Sequence, residues 1–181
     1  MKKKSTLMAL AFAAFSTVAY AEPFNGSIEQ VIEKMRDYSA SNNTFQVLSK
    51  EPLHIRLSPK MVAAETSESV KTELLRATTY GVYRTFIHTN ADSVQVTARP
   101  LLMVINGEHR EFVLLRKPLA TVSLTRGKAL EVARRTLQVT TFAQLVDAHD
   151  MWTDKMENGR YVNRKPGLHK LAVDLGVDFS H

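Results

Sequence analysis

The chain contains no cysteine among its 181 residues. A protein without cysteine forms no disulfide, has no thiolate nucleophile and offers no acceptor for the lipid that anchors bacterial lipoproteins. Its stability must therefore come from a hydrophobic core, and a chain of this length can bury one of useful size.

Long apolar runs are missing after residue 21, and the one run before it has a specific pattern. Lysines at positions 2–4 precede an apolar run over 7–18, which ends at Ala19-Tyr20-Ala21. A basic start, about a dozen apolar residues and an A-x-A end are typical of a cleaved secretory signal peptide. The run is shorter than the roughly 20 residues that a membrane-spanning helix needs. We therefore expect a signal peptide over 1–21 and a single domain over 22–181, periplasmic or secreted, without a transmembrane segment.

A strong excess of one charge is also missing from the expected mature chain. The formal charge of +6 includes the three lysines at positions 2–4, and residues 1–21 contain no acid, which leaves +3 for residues 22–181. Proteins that bind nucleic acid concentrate Lys and Arg to displace phosphate counterions. The mild charge predicts no nucleic-acid partner.

Metal-binding spacings are absent from the histidines. None of the six forms H-E-x-x-H or H-x-H. Carboxylates at Asp147, Asp150, Asp154 and Glu157 would share one helical face if a helix continued that far. Such a face can hold Ca²⁺ or Mg²⁺, but a solvated helix shows the same pattern. We expect no metal and no cofactor.

Nucleophile motifs such as G-x-S-x-G are absent as well. His109 and Glu111 are two residues apart in a predicted strand, so a carboxylate could orient the imidazole as a general base. These two residues, or the carboxylates from Asp147 to Asp154 with a metal, would support a small hydrolase or a metal-assisted enzyme. Residues beside a hairpin turn are usually exposed, so this function is an alternative only.

Helical spacing and capping residues predict one long central helix and several shorter ones. The long helix has Ala77, Thr78, Thr79 and Gly81 in its middle, where a glycine costs up to about 1 kcal/mol. We expect close packing against a sheet to compensate for it. The predicted helices run from Ser27 to about Tyr38, from Ser67 to about His88, from Arg126 to about Gln138, from Thr140 or Thr141 to Asp150, and from Gly167 to Leu175, before a frayed tail.

Alternating apolar and polar residues predict the strands. Asn106-Gly107 is a hairpin signal, because both turn positions of the favoured turn need positive φ. Pro100 follows the predicted strand from Val94 to Ala98 and bends that strand or places it on an edge. The predicted strands cover Phe45 to Leu48, Leu53 to Leu57, Val94 to Ala98, Leu101 to Ile105, Glu111 to Leu115 and Leu119 to Leu124, with His54 and Arg56 on a wet face. The last four of these strands, from Val94 to Leu124, are expected to pair in chain order as a meander.

These elements together predict an α+β fold. We expect a mostly antiparallel sheet with a long helix packed on one face and additional C-terminal helices.

The long helix also carries the strongest candidate for a binding surface. Tyr80, Arg84 and His88 follow i, i+4 and i+8, and Tyr83 lies beside Arg84. Tyr and Arg are over-represented in binding hot spots because they combine apolar area with directional hydrogen bonds. Core packing of the tyrosines is the alternative interpretation. The hypothesis is that Tyr80, Tyr83, Arg84 and His88 contact a partner.

Two further basic sets could bind acidic protein surfaces or anionic lipid heads, although solvated side chains explain them equally. The first lies on a predicted helix and the second in a predicted loop from Tyr161 to Pro166. They comprise Arg126, Lys128, Arg134 and Arg135, and then Arg160, Arg164 and Lys165.

These features favour binding over catalysis. The sequence predicts an exported, non-enzymatic binding or adaptor protein with a protein partner in the cell envelope, such as an accessory of an envelope machine or an inhibitor of an exported toxin. A small-ligand carrier, with a cleft enclosed by the sheet and the helix from Val70 to Phe86, is a further alternative.

Overall fold

The computed structural model describes residues 25–107, 109–156, 161–162 and 165–180. The predicted signal peptide and the predicted turn at 157–160 lie outside the described residues. The helices are α1 (Ile28–Met35), α2 (Ser67–His88), α3 (Arg126–Leu137) and α4 (Leu168–Asp174), and 3₁₀ turns cover Phe142–Leu145 and Asp154–Met156. The strands are β1 (Phe45–Lys50), β2 (Leu53–Leu57), β3 (Lys60–Val62), β4 (Ser93–Ala98), β5 (Leu101–Asn106), β6 (His109–Leu114), β7 (Leu119–Thr125), β8 (Tyr161–Val162), β9 (Lys165–Pro166) and β10 (Asp178–Ser180).

The described strands form a five-stranded sheet in the order β1-β2-β4-β7-β10, a three-stranded sheet in the order β3-β5-β6 and a short ribbon of β8 and β9. Within the large sheet, β2 and β4 are parallel, because α2 returns the chain between them, while the other neighbours are antiparallel. Helices pack on one face of this sheet. The predicted α+β class, the mostly antiparallel sheet and the long helix on one face are confirmed.

The central helix α2 packs against the large sheet as its small residues predict. A Cβ built at Gly81 would lie 2.8 Å from Val96 Cγ1 and 2.9 Å from Leu57 Cδ1. Two of the buried threonines in this helix are satisfied because their hydroxyls donate to a carbonyl four residues earlier, Thr78 to Leu74 at 2.8 Å and Thr85 to Gly81 at 2.7 Å, whereas the buried Thr79 hydroxyl has no partner among the described residues.

Local capping determines where the flanking helices begin and end. At the start of α1, Gln30 N donates to Ser27 Oγ at 3.3 Å and Ser27 N donates to Gln30 Oε1 at 2.9 Å, which is the predicted capping box. The helix ends at Met35, before the predicted Tyr38, because Arg36 adopts φ 62°. Thr125 caps α3 as predicted, with Lys128 N donating to its hydroxyl at 3.3 Å.

The hairpin of β5 and β6 is confirmed, but two details differ. Asn106 pairs with His109 as the last residue of β5, so of the two predicted turn residues only Gly107, with φ 62°, lies in the turn. The predicted meander is wrong, since β4 pairs directly with β7 and the hairpin belongs to the three-stranded sheet. Pro100 lies where the chain passes from one sheet to the other, while β4 is central.

The C-terminal third departs further from the prediction. The helix expected from Thr140 or Thr141 to Asp150 is replaced by the 3₁₀ turn Phe142–Leu145 and an extended segment. The expected loop from Tyr161 to Pro166 contains the paired β8 and β9, and the expected frayed tail forms β10 beside β7. Here backbone pairing outweighs the capping and turn signals, both between neighbouring residues, as in β8 with β9, and between distant ones, as in β10 with β7.

One predicted wet side chain of β2 is buried. Arg56 is only 6% exposed, because its Nη2 donates to Asn43 Oδ1 at 2.6 Å in the turn before β1. His54 is half-buried and its Nε2 lies 3.0 Å from Thr97 Oγ1 on β4. Among the described residues, no helix has both the length and the apolar character to cross a membrane.

Candidate binding cleft

A cleft of about 940 Å³ lies along one side of α2. Its lining comes from five segments of the chain, namely residues 35–38, 42 and 44, 58–60, four positions of α2, and 151, 152 and 156. We call this cavity the α2 cleft.

A stripe of α2 forms one wall of the α2 cleft. Glu73, Arg76, Tyr80 and Arg84 line the cavity, and their spacing of three or four residues places them on one side of the helix. Arg76 Nη1 lies 3.6 Å from Glu73 Oε2. The N-terminal half of this wall is therefore the surface ion pair of Glu73 and Arg76. The C-terminal half consists of the buried Tyr80 and Arg84.

Three aromatic rings form a continuous row in the wall. The ring centroids of Tyr38 and Tyr80 are 5.2 Å apart with an angle of 60° between planes. Those of Tyr80 and Trp152 are 5.8 Å apart at 78°. Edge-to-face pairs of this kind contribute about 0.5–1.5 kcal/mol beyond area burial. The row joins the end of α1, the middle of α2 and the loop before the second 3₁₀ turn.

Arg84 is buried at the inner end of the row and is only 2% exposed. Its Cζ lies 3.9 Å from the centroid of the Trp152 ring, and its Nη1 donates to the carbonyl oxygen of Asp150 at 2.7 Å. The same Nη1 lies 3.2 Å from His88 Nε2. Since a guanidinium only donates, His88 Nε2 accepts this bond and the ring proton sits on Nδ1.

Unpartnered polar atoms are concentrated at the α2 cleft. Ser58 Oγ, Tyr80 Oη and Arg84 Nε are buried without a hydrogen-bond partner among the described residues, and all three residues line the cavity. Asp37 and Arg84 lie near the Tyr80 hydroxyl without forming a hydrogen bond of good geometry with it. A buried polar atom without a partner costs about 1–3 kcal/mol. Three of the five such atoms among the described residues belong to residues that line this one cavity, which makes it the candidate ligand site.

The end of α1 is held in place by local polar contacts. After the left-handed Arg36, the Glu33 carboxylate accepts from Ala40 N at 2.8 Å and from Ser39 Oγ at 3.1 Å. These bonds fix the turn that carries Tyr38 onto Tyr80. The short sequence from Arg36 to Ser39 thus positions the mouth of the cleft.

The loop before the second 3₁₀ turn is organised by two carboxylates. Asp147 Oδ1 accepts from His149 N at 2.8 Å and from Met151 N at 3.0 Å. Asp150 Oδ2 lies 3.0 Å from Lys34 Nζ on α1. Together they hold Trp152 against α2.

Burial shifts the pKa values of the tyrosines and the arginine in this wall. It raises the pKa of both Tyr80 and Tyr38 well above the ordinary value, and the nearby negative charge of Asp37 adds to the effect. Burial lowers the pKa of Arg84, while Tyr80 and Asp37 oppose that change. At neutral pH the wall therefore presents neutral phenols beside one desolvated guanidinium.

The four sequence-predicted binding residues divide between the cleft and the core. Tyr80 and Arg84 line the cavity. Tyr83 and His88 are each 0% exposed, and Tyr83 Oη donates to the carbonyl oxygen of Ala129 at 3.2 Å on α3. Arg84 links His88 to the cleft, but Tyr83 faces away from it into the helix layer.

The alternative catalytic residues are not brought together in a pocket. His109 and Glu111 are exposed on β6, outside the lining of the α2 cleft. Asp147 and Asp150 lie in a loop where each has its own partner, and Glu157 lies outside the described residues. No group of three or more potential metal ligands occurs in the described part of the chain.

The first basic set is largely engaged within the protein. Lys128 and Arg135 both pair with Glu131, at 2.9 Å and 3.8 Å, and Arg134 Nη2 donates to the carbonyl oxygen of Thr140 at 3.0 Å. Arg126 binds the carbonyls at the end of α2. In the second set, Arg160 and Arg164 lie outside the described residues and Lys165 belongs to β9.

Sequence reasoning missed Trp152, Tyr38 and Ser58, because loops far apart in the chain bring them to the cleft. It also missed Glu73 and Arg76, for which a signal existed, since extending the stripe of Tyr80 and Arg84 toward the start of the helix reaches both. Trp152 is the only tryptophan of the chain.

Comparison of this chain with protein families, with curated proteins and with solved structures finds no match. The α2 cleft is therefore the feature from which a function can be inferred.

Proposed function

We propose that this protein is a non-enzymatic binding protein that carries a small organic molecule in the α2 cleft. The observation that supports it is the clustering of Ser58 Oγ, Tyr80 Oη and Arg84 Nε, three buried atoms without partners, in one cavity. Ligand sites are typically cavities of about 300–1,000 Å³, and the volume of this cleft lies in that range. Its lining mixes aromatic and methionine side chains with a larger number of polar and charged ones, which suits a polar ligand with an apolar part.

The lining favours binding over chemistry. Among the described lining residues there is no His or Cys, and Ser58 Oγ has no base within hydrogen-bond distance. Nucleophilic catalysis needs a hydroxyl activated by an adjacent base. The polar atoms of the cleft are suited to orient a bound molecule.

Export of this binding protein to a Gram-negative periplasm is part of the proposal. It is supported by the basic, apolar and A-x-A segments of residues 1–21. Mass spectrometry of the protein recovered from a periplasmic extract tests it, since cleavage gives a chain that begins at Glu22. Recovery of an uncleaved chain in the cytoplasm would contradict export.

Binding is tested by screening metabolite mixtures for a change in Trp152 fluorescence, together with native mass spectrometry of protein isolated from cells. We expect at least one compound to bind saturably, and Met151→Ala to weaken it several-fold. Met151 lines the mouth of the cleft and is 63% exposed, so its truncation leaves the fold intact. Val173→Ala is the matched control, because Val173 is 58% exposed on α4 outside the cleft. Binding that Met151→Ala does not affect, or no bound compound in either measurement, contradicts the proposal.

A second candidate function is an adaptor for a protein partner in the cell envelope. Among the described residues, four of the seven exposed large hydrophobic side chains belong to the three-stranded sheet, and β6 is an edge strand of that sheet. These side chains are Val62, Ile105, Phe112 and Val113. Exposed apolar patches and free strand edges are common features of protein interfaces.

Crosslinked affinity capture from intact cells distinguishes this candidate. A partner of the three-stranded sheet is lost with Phe112→Lys and retained with Val173→Lys, since both positions are exposed but only Phe112 lies on that sheet. Equal capture by the two variants excludes the sheet as the interface.

A further inference from the structure

The α2 cleft contains a buried cation without an anionic partner. Arg84 is 2% exposed, and its contacts are a carbonyl oxygen, the His88 ring nitrogen and the faces of the Trp152 and Tyr80 rings. Among the described residues no carboxylate oxygen forms an ion pair with it, because Asp150 pairs with Lys34 and Asp37 opposes the lowering of the Arg84 pKa only from beyond ion-pair distance. Buried guanidinium groups are normally paired, because an unpaired charge in a desolvated site is costly.

The unused part of this guanidinium matches an oxyanion. Nη1 is occupied by the Asp150 carbonyl and His88, whereas Nε has no partner. The Nε edge of arginine forms, with Nη2, the fork that binds a carboxylate or a phosphate through two parallel hydrogen bonds. The unpartnered hydroxyls of Tyr80 and Ser58 are further donors in the same cavity.

The other residues that line the cleft indicate what the rest of the ligand should be like. The row of Tyr38, Tyr80 and Trp152 and three methionines provide apolar and aromatic surface. Four basic residues line the cavity against two acidic ones, which favours negative charge in it. The basic residues are Arg36, Lys60, Arg76 and Arg84, and the acidic ones are Asp37 and Glu73.

We propose that the ligand of the α2 cleft is a small organic oxyanion, in which a carboxylate or phosphate-type group binds the Nε edge of Arg84 and an aromatic or apolar body lies along Tyr38, Tyr80 and Trp152. This inference rests on the proposed binding function and specifies its ligand class.

The test uses probes that differ only in the polar group. The probes are 4-phenylbutyrate, 3-phenylpropylphosphonate and the neutral 4-phenylbutanamide, which share a phenyl ring on three methylenes, added to the mature protein at pH 7, with inorganic phosphate as an anion without a body. Trp152 fluorescence reports occupancy directly, because the ring lies 3.9 Å from the Arg84 guanidinium and no other tryptophan contributes. We expect both organic anions to bind at least about tenfold more tightly than the amide, which loses the charge-assisted bidentate contact, and than inorganic phosphate, which loses the apolar contact with the aromatic row. The relative affinities of the carboxylate and the phosphonate tell which oxyanion the site prefers.

Variants then locate the anion. Arg84→Gln is expected to reduce the ratio of the amide Kd to the anion Kd to about one. Arg135→Gln, which changes an exposed arginine on α3, is expected to leave this ratio unchanged. If Arg84→Gln does not fold, Arg36→Gln and Lys60→Gln test whether the anion lies in the cleft, because both residues are exposed in its lining. Each variant is expected to lower the affinity for the anions by about twofold to fivefold without changing the affinity for the amide.

Two results overturn the inference. Equal affinity for the amide and the anions shows that the cleft binds neutral molecules, which leaves the proposed binding function intact. No fluorescence response to any probe excludes this ligand class, and the metabolite screen then decides separately whether the cleft binds anything.

Discussion

Gly81 shows how one residue determines the distance between a helix and a sheet. Its hydrogen faces Val96 and Leu57, and any larger side chain would overlap their methyl groups. The sequence predicted this close approach from a run of small residues, but which strands lie opposite depends on the sheet order.

We expect Gly81→Ala to lower the free energy of unfolding by about 1–2 kcal/mol. Overpacking costs about 1–3 kcal/mol, and alanine recovers up to about 1 kcal/mol of helix propensity. Urea denaturation followed by circular dichroism measures the difference. Gly127→Ala is the matched control in α3, where a Cβ meets nothing within 4 Å, and it should be neutral or slightly stabilising. If the Gly81→Ala protein is as stable as the control, Val96 and Leu57 move to accommodate the added methyl group, and the expected overpacking does not occur.

Asp147 should make the loop that carries Trp152 sensitive to acid. The backbone N–H groups of His149 and Met151 lower the pKa of this carboxyl below its ordinary value. A lowered folded-state pKa gives stabilisation that is fully present above the ordinary value, about 3.9, and is lost as the pH falls through the folded value. We expect Trp152 emission of the native protein to change below about pH 4.

Asp147→Asn tests this, because asparagine keeps the acceptor oxygen but does not titrate in this range. The emission change should disappear in this variant and persist in Asp178→Asn, an exposed position on β10. Persistence in both variants would assign the change to another group.

At the level of elements, α2 depends on a side chain from another helix at its C-terminal end. Arg126 Nη1 donates to the carbonyl oxygen of Phe86 at 2.7 Å, Nε donates to that of Ala91 at 3.0 Å, and Nη2 donates to that of Thr89. The last carbonyls of a helix lack partners within it, so these bonds replace water. The sequence placed Arg126 in a basic surface set, because capping across elements leaves no local signal.

We expect Arg126→Met to destabilise the protein by about 2–3 kcal/mol, since hydrogen bonds to a charged donor contribute about 1.5–3 kcal/mol and methionine keeps the apolar stem. Thermal and urea unfolding measure the change. Lys128→Met, which removes only the exposed pair with Glu131, is expected to stay within about 0.5 kcal/mol. Equal effects of the two variants would rule out the capping role.

At the scale of the whole molecule, the α2 cleft exists only when distant segments meet. Tyr38 and Trp152 are more than a hundred residues apart, yet both contact Tyr80. Lys34 and Asp150 join the same two segments by an ion pair. The cleft should therefore form and disappear with the complete fold.

This predicts coincident unfolding transitions. In urea, Trp152 emission, which reports the cleft, and far-ultraviolet circular dichroism, which reports the helices, should have the same midpoint and slope. The two transitions should also coincide in the control variant Val173→Ala, which leaves the cleft unchanged. An emission transition at lower urea would show that the loop around Trp152 opens before the fold.

Much of the fold could be read from the sequence because its signals are local. The caps at Ser27 and Thr125, the alternation in β4 and the hairpin at Gly107 each involve residues within a few positions of one another. The helix expected near Thr141 failed because Val146 pairs with Trp152 in an extended bridge, a contact that capping residues do not encode.

The sequence by itself therefore determined the α+β class, the long central helix and the strand segments, since hydrophobic period and capping are properties of short stretches. It also placed Tyr80 and Arg84 on one stripe of that helix, and both residues line the α2 cleft. Only the tertiary structure decided that β4 pairs with β7, that Tyr83 and His88 are buried, and that Trp152 covers Arg84. Strand order, burial and cleft formation depend on contacts between residues far apart in the chain, whose free energies no local pattern contains.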